Sequence, residues 1–379
     1  VYKALRRLLF ALSPDRAHAL AMAALAPLEH VGPFAAAARA CFGPTDPRLV
    51  VKTMGLVFPS PLGLAGGFDK NAHRPRAMAA LGFGHLELGT VTALAQAPNP
   101  APNLFRLPDD RALINRLGFP NEGAAAVCAR IESIGGAAPN RRKIVVPFSV
   151  SIGKSRSVAL DPIEGAILDY AASFRAARAV ADFVVVNVSS PNTKDLRAMQ
   201  GAEIARLLFR ALVQEAEGTP ILVKIAPDLG DTEIDALVDV AKEAKLAGVV
   251  ATNTTVARKG LHTGAAAVEA IGAGGLSGPP LQARALEVVE RVRGRLGKDA
   301  TVIGVGGIET ADDVLAFVRA GANLVQTYTG FVYGGPLLPS SIARELTKRM
   351  DARGASSVAE LATAETNAPK VTGNSAAPS

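Results

Sequence analysis

From Gly43 onward, short apolar runs alternate with longer stretches in which apolar residues recur at helical spacing. Eight runs stand out: 61–66 (PLGLAG), 85–90 (HLELGT), 144–150 (IVVPFSV), 183–188 (FVVVNV), 221–225 (ILVKI), 248–253 (GVVATN), 301–306 (TVIGVG) and 323–328 (NLVQTY). Most have a continuous β-branched or leucine-rich centre without polar alternation, the pattern of parallel strands covered on both faces. Helical patterns separate most of them, for example over 162–180, 231–245 and 310–320. Eight such units over roughly 300 residues predict an α/β chain folded as a (β/α)8 TIM barrel rather than an open sheet. The longer gaps after the second and sixth runs predict inserted loops.

The first 42 residues follow a different rhythm. In YKALRRLLFAL, Leu5, Leu8, Leu9 and Leu12 share one helical face, with Lys3, Arg6 and Arg7 opposite. Ser13 is placed to cap a second helix with Pro14 at its first position. The longest uncharged stretch, Ala17 to Leu28, is 12 residues, shorter than the roughly 20 needed to span a bilayer. Recurring charges and the lack of a cleavage region argue against a cleaved signal. Two short amphipathic helices with a basic face fit a monotopic surface anchor and a helical cap on the main domain equally well. The predicted organisation is a helical extension over 1–42, a barrel over 43–350 and a disordered tail over 351–379, which is rich in Ala, Ser, Thr and Pro.

Composition narrows the partners. Net charge is +7, which suits an anionic partner, but there is no tryptophan and aromatic residues are few, so nucleic-acid binding by base stacking is disfavoured. Cys41 and Cys128 are far apart and lack metal-ligand spacing, which excludes a disulfide framework and a structural zinc site and fits a reducing cytoplasm. Hydrogen-bonding residues crowd the C-terminal strand ends, where such barrels carry their active sites: GGFDKN, Thr90, NVSSPNT, Lys224, Thr252 to Thr254 and TYTG. The glycine-rich GVGGIET and TYTGF follow the last two strands, and GGLSG adds a third flexible loop, together predicting a phosphate-bearing ligand.

LAGGFDKN, INRLGFPNEG, NVSSPNT, VKIAPDL, ATNTT, GGLSGPPL, IGVGGI and LVQTYTGF together resemble the FMN-dependent dihydroorotate dehydrogenases over roughly residues 1–350. Serine in NVSSPNT, where the soluble class has cysteine, and the N-terminal SPDRAHAL resemble the membrane-associated, quinone-linked class 2. The resemblance implies oxidation of dihydroorotate to orotate in pyrimidine biosynthesis, one non-covalent FMN, ubiquinone as acceptor, no metal, and a peripheral position on the cytoplasmic side of the inner membrane against anionic lipid.

It also implies residue roles. Ser190 matches the base, with Thr193 and Phe119 shaping and shielding its proton path. Lys70, Asn115, Arg116, Leu117, Gly118, Phe119, Asn187, Asn192, Asn253 and Thr254 match substrate positions; amides suit a ring edge that both donates and accepts. Gly66, Gly67, Phe68, Asp69, Lys70, Thr90, Ser151, Asn187, Lys224, Thr252, Gly278, Gly307, Tyr328 and Thr329 match flavin positions. His18, Arg106 and Tyr328 match the polar lining of a quinone tunnel. One departure is VSIGKS, where the family usually has VNIGKN: Ser151 and Ser155 replace two asparagines. Cys41, Cys128, His30, His73, His85 and His262 match no required role and read as structural. Two competing readings are a Schiff-base aldolase with Lys224 as nucleophile and a non-catalytic peripheral membrane module.

Overall fold

The computed structural model describes residues 2–137, 143–193 and 195–367. Eight parallel strands close into a barrel in sequence order: Leu62–Leu64, His85–Val91, Phe148–Ile152, Phe183–Asn187, Ile221–Ile225, Gly248–Ala251, Thr301–Val305 and Leu324–Thr327. All eight predicted strands are present, and helices Ile163–Arg178, Asp231–Glu243 and Ala311–Arg319 occupy the predicted stretches. Each strand is paired on both sides and covered on both faces, which is why the sequence shows no alternation there.

The N-terminal half of the barrel interior is apolar, filled by Phe183, Val185, Leu222, Val250, Ile303 and Leu324. A hairpin, Val51–Thr53 with Leu56–Phe58, closes that end and brings Phe58 edge-on to His85 and Phe183. The other end is polar and carries the inserted loops expected after the second and sixth strands. These loops pair with each other: Leu104–Leu107, Ala112–Asn115 and Gly275–Ser277 form a three-stranded antiparallel sheet.

The N-terminal extension holds four helices rather than the two expected: α1 Tyr2–Ala11, α2 Pro14–Ala24, α3 Ala26–His30 and α4 Gly32–Phe42. Ser13 accepts from the Arg16 N–H at 3.4 Å, as its capping position predicts. The expected second helix breaks at Leu25, where Pro27 in the first turn of α3 supplies no N–H to continue the α2 ladder. Arg6 donates to the Tyr333 carbonyl at 2.9 Å, so it is a tie to the barrel and not part of a free basic face. Leu5, Leu8 and Leu12 are exposed instead.

The expectation of disorder from residue 351 is corrected over its first part. Helix Leu338–Arg353 runs into that region, and Val358–Asn367 forms a further helix. Val358, Leu361 and Ala362 are buried beside the Ala311–Arg319 helix. Their helical spacing is masked in the sequence by the many small residues around them. Residues 368–379 of the expected tail lie outside the described residues. Leu361→Ala is expected to destabilise the protein by about 2–5 kcal/mol in urea unfolding, the range for a buried leucine; an unchanged midpoint would show that this helix adds nothing to the core.

Candidate active site

A cavity opens at the C-terminal end of the barrel. Nearly every strand contributes: Gly66, Gly67 and Lys70 follow the first, Thr90 ends the second, Asn187, Ser190 and Asn192 come from the fourth, and Lys224 from the fifth. Thr252, Asn253 and Thr254 follow the sixth, Gly306 and Gly307 the seventh, and Gln326, Tyr328 and Thr329 the eighth. The inserted sheet covers it with Leu104, Leu113, Asn115 and Ser277, joined by Leu117, Gly118 and Phe119.

The amides form one wall. Asn187 donates to Thr90 Oγ1 at 3.1 Å, and its side-chain Oδ1 accepts from Ser189 N at 3.2 Å and from Asn253 Nδ2 at 3.3 Å. Asn253 also donates to Ser189 Oγ at 3.0 Å, and Asn192 donates to Asn115 Oδ1 at 3.0 Å, joining the fourth strand to the inserted sheet. Ser190 is buried, and its Oγ accepts from the Asn192 N–H at 3.2 Å, which holds the hydroxyl at the cavity wall. Thr193 Oγ1, in the same turn, is buried without a hydrogen-bond partner among the described residues.

Opposite polarity governs the far side. Gly278 has φ +108° and a Cβ there would come within 2.8 Å of the Arg111 carbonyl; Gly307 has φ +71° and would meet the Gly278 carbonyl at 3.0 Å. Both positions therefore demand glycine, leaving backbone and the Ser277 and Thr329 hydroxyls, 2.8 Å apart, to face an anion at the start of the helix following the eighth strand. Lys224 Nζ lies at the floor, 3.0 Å from Glu87. Lys70 Nζ donates to the Gly67 carbonyl at 2.7 Å, and burial pulls its pKa down to about 8.

A second, largely apolar cavity lies between α1, α2 and the barrel, lined by Leu5, Leu9, Phe10, Ala17, Ala21, Phe331 and Val332, with Tyr2, His18, Arg106 and Tyr328 among its polar members. It shares Leu104, Leu113 and Tyr328 with the first, so the two are separated by single side chains. Burial and the nearby Lys70 push the His18 pKa down to about 4, so its imidazole is neutral near pH 7. Arg106 donates to the Leu12 carbonyl at 2.7 Å and lies over the Phe10 ring.

The extension is also tied down at Glu29. Its carboxylate accepts from the Ala77 N–H at 3.0 Å, its carbonyl accepts from Arg76 at 2.6 Å, and burial pushes its pKa up to about 7. A raised carboxyl pKa means that the folded state binds more protons than the unfolded chain between the ordinary value and about 7. Stability is therefore lost as pH rises through that window, and the loss is complete above it. Glu29→Gln is expected to stabilise the protein at pH 8 by on the order of 3 kcal/mol at most, seen as a higher thermal midpoint, and to leave the midpoint unchanged at pH 4. An equal change at both pH values would contradict this.

Four of the residues expected around substrate or flavin stand outside the first cavity. Arg116 turns away, donating to the Pro102, Ile271 and Ala273 carbonyls and stacking on Phe105, so it pins the inserted loops. Phe68 lines the second cavity. Asp69 is buried and accepts from His73 N and Arg74 N, shaping the turn that presents Lys70. Ser151 is buried and bonds Thr90 at 2.9 Å, so it reaches the cavity only through that threonine; Ser155 accepts from Leu94 N. Gln326 and Ser277 line the cavity without having been expected there. Gln326 carried a signal, a polar residue inside the apolar strand NLVQTY, the same signal that marks Lys224 in ILVKI.

A family model described as dihydroorotate dehydrogenase matches residues 48–350. The dihydroorotate dehydrogenase (quinone) of Rhodococcus erythropolis is 48% identical over 366 residues, 96% of this chain and 99% of that protein. The protein of the same name from Clavibacter michiganensis is 50% identical over 343 residues, 90% of this chain and 97% of that one. Among solved structures, DHODH from Eimeria tenella in complex with ferulenol aligns with TM-score 0.80 at 32% identity, covering 94% of this chain and 96% of that one. The chain belongs to the dihydroorotate dehydrogenase family.

Proposed function

We propose that this protein oxidises dihydroorotate to orotate and passes the electrons to a quinone, as a step of pyrimidine biosynthesis. The observation that carries the reading is the pairing of two cavities: a polar one with Ser190 and four asparagines in its wall, and an apolar one meeting it at Tyr328.

The residues fit FMN as the group between them. The glycine cradle at Gly278 and Gly307, with Thr329, suits its phosphate, while Lys224, Thr90, Thr252 and the backbone at Gly66 and Gly67 suit its ring. Gln326, buried at the cavity floor with both amide atoms unpartnered among the described residues, has hydrogen bonds to give to a ring edge. When bound, FMN supplies acceptance of a hydride from carbon and release of the electrons to a quinone.

Asn115, Asn187, Asn192 and Asn253 bind and orient the substrate's ring amides and carboxylate. Ser190 takes the C5 proton, leaving hydride departure from C6 on the opposite face of the same bond. A serine hydroxyl is a weak base in water; here Ser190 and Thr193 are buried and Phe119 lines the same cavity, surroundings that suit shielding of the proton from bulk water. On the acceptor side, neutral His18, Arg106 and the Tyr328 hydroxyl are polar groups that a quinone head can meet, the Tyr2 hydroxyl being engaged with the Val332 carbonyl, and the aliphatic lining receives the tail. The exposed Leu5, Leu8, Leu12, Leu20 and Phe34 of the extension, with Arg7, suit peripheral contact with an anionic lipid surface on the cytoplasmic side of the inner membrane. No helix among the described residues is long and apolar enough to cross a membrane.

The aldolase reading loses its nucleophile, because Lys224 is engaged in a buried ion pair with Glu87. A scaffold without activity gives no reason for the polar cavity. The test is an assay with dihydroorotate and a short-chain ubiquinone: equimolar orotate and quinol support the reading, and no orotate with any quinone refutes it.

A further inference from the structure

Glu87 lies below the floor of the first cavity, outside its lining. Its side chain is 0% exposed, and Oε1 accepts from Lys224 Nζ, itself 6% exposed, at 3.0 Å. A Cβ at Gly66 would strike the same carboxylate, so the glycine that lines the cavity above also makes room for the acid beneath it. Glu87 Oε2 has no hydrogen-bond partner among the described residues. Nor do Ser149 Oγ, which is beside Glu87 in register, or the side-chain atoms of His85 and Gln326. The carboxylate is thus not held by a ring of donors, and Lys224 is its one partner among the described residues.

We propose that Glu87 is a positioning residue whose buried carboxylate fixes the Lys224 side chain at the cavity floor. A buried ion pair with one unpartnered oxygen is a poor device for stability, since apolar residues of the same volume commonly do as well or better. It is a good device for holding a cation where negative charge arrives. Removing the carboxylate leaves a lone buried ammonium, for which losing its proton becomes the easiest relief. The titratable groups around it are Lys224 on the fifth strand, His85 on its own strand, kept neutral by burial, and Lys70 across the cavity. The inference rests on the flavin reading for one of its two tests and is independent of it for the other.

The flavin-dependent test is Glu87→Gln, which keeps shape and removes charge. In the purified holoprotein, the flavin midpoint potential of the variant is expected to fall more steeply with pH than that of the wild type. Its reduction by dihydroorotate is expected to weaken at least about tenfold between pH 6 and pH 8.5 relative to the wild type. Parallel potential lines and parallel pH profiles would overturn the proposal even if the variant were less stable. The second test is thermal unfolding of Lys224→Met against Lys224→Met/Glu87→Gln, which needs no flavin. The double variant is expected to melt higher, because the single one strands a buried carboxylate. An equal or lower midpoint would overturn the pairing. If the wild-type protein bound no flavin, the functional reading would fail while this comparison still judged the pair.

Discussion

Ser190→Ala is expected to leave the protein folded and able to hold flavin, yet to slow flavin reduction by dihydroorotate by about 10²–10⁴-fold, the range for loss of a positioned acid–base group. Among the described residues the hydroxyl makes one hydrogen bond, accepting from the Asn192 N–H at 3.2 Å, so its removal disturbs the wall little. The asparagines keep their own contacts with Thr90, Ser189 and Asn115. Substrate affinity should therefore change much less than rate, and reoxidation by quinone, which needs no base at this position, should be unaffected. Rapid-mixing measurements of the two half-reactions separate these effects. A loss shared equally by both half-reactions would remove Ser190 from the chemistry and make it a structural residue.

Ala21→Phe is expected to give the mirror image. Ala21 lines the apolar cavity on α2, facing a space bounded by Leu9, Phe331 and Val332, and a phenyl ring there occupies the volume that a quinone tail would take. Overpacking of this kind opposes binding by roughly 1–3 kcal/mol, so reoxidation at limiting quinone should fall about tenfold or more. Reduction by dihydroorotate takes place behind Leu104, Leu113 and Tyr328 and should keep its rate. Removing residues 1–42 should have the same sign, but it also strips α3 and α4 from the Pro75–Ala80 helix and so mixes access with stability. If Ala21→Phe slowed the first half-reaction as much as the second, the apolar cavity would not be a separate entrance.

Much of this was legible in the sequence because buried parallel strands leave a strong mark. FVVVN and ILVKI read as strands without help from the fold, and the polar residues just beyond them had to sit at one end of the barrel. The pairing of the inserted loops was not legible. Leu104–Leu107, Ala112–Asn115 and Gly275–Ser277 meet across a sequence separation that no local pattern records. Arg116 sits between cavity residues in the chain, yet its side chain turns to the carbonyls of the other loop; strand register, not proximity in sequence, decides which way it faces. Ser151 shows the same limit, because only the register of the second and third strands reveals that Thr90 stands between it and the cavity. The helix Val358–Asn367 escaped because its buried positions are few and its neighbours small.

The central claim is that one cavity takes electrons from dihydroorotate and that a quinone takes them away through the other. It is tested most directly in a single anaerobic cuvette. The purified protein should show an oxidised flavin band, dihydroorotate should bleach it with one orotate formed per flavin, and a ubiquinone analogue should restore it. A flavin band that dihydroorotate does not bleach, or a bleached one that quinone does not restore, would contradict the account.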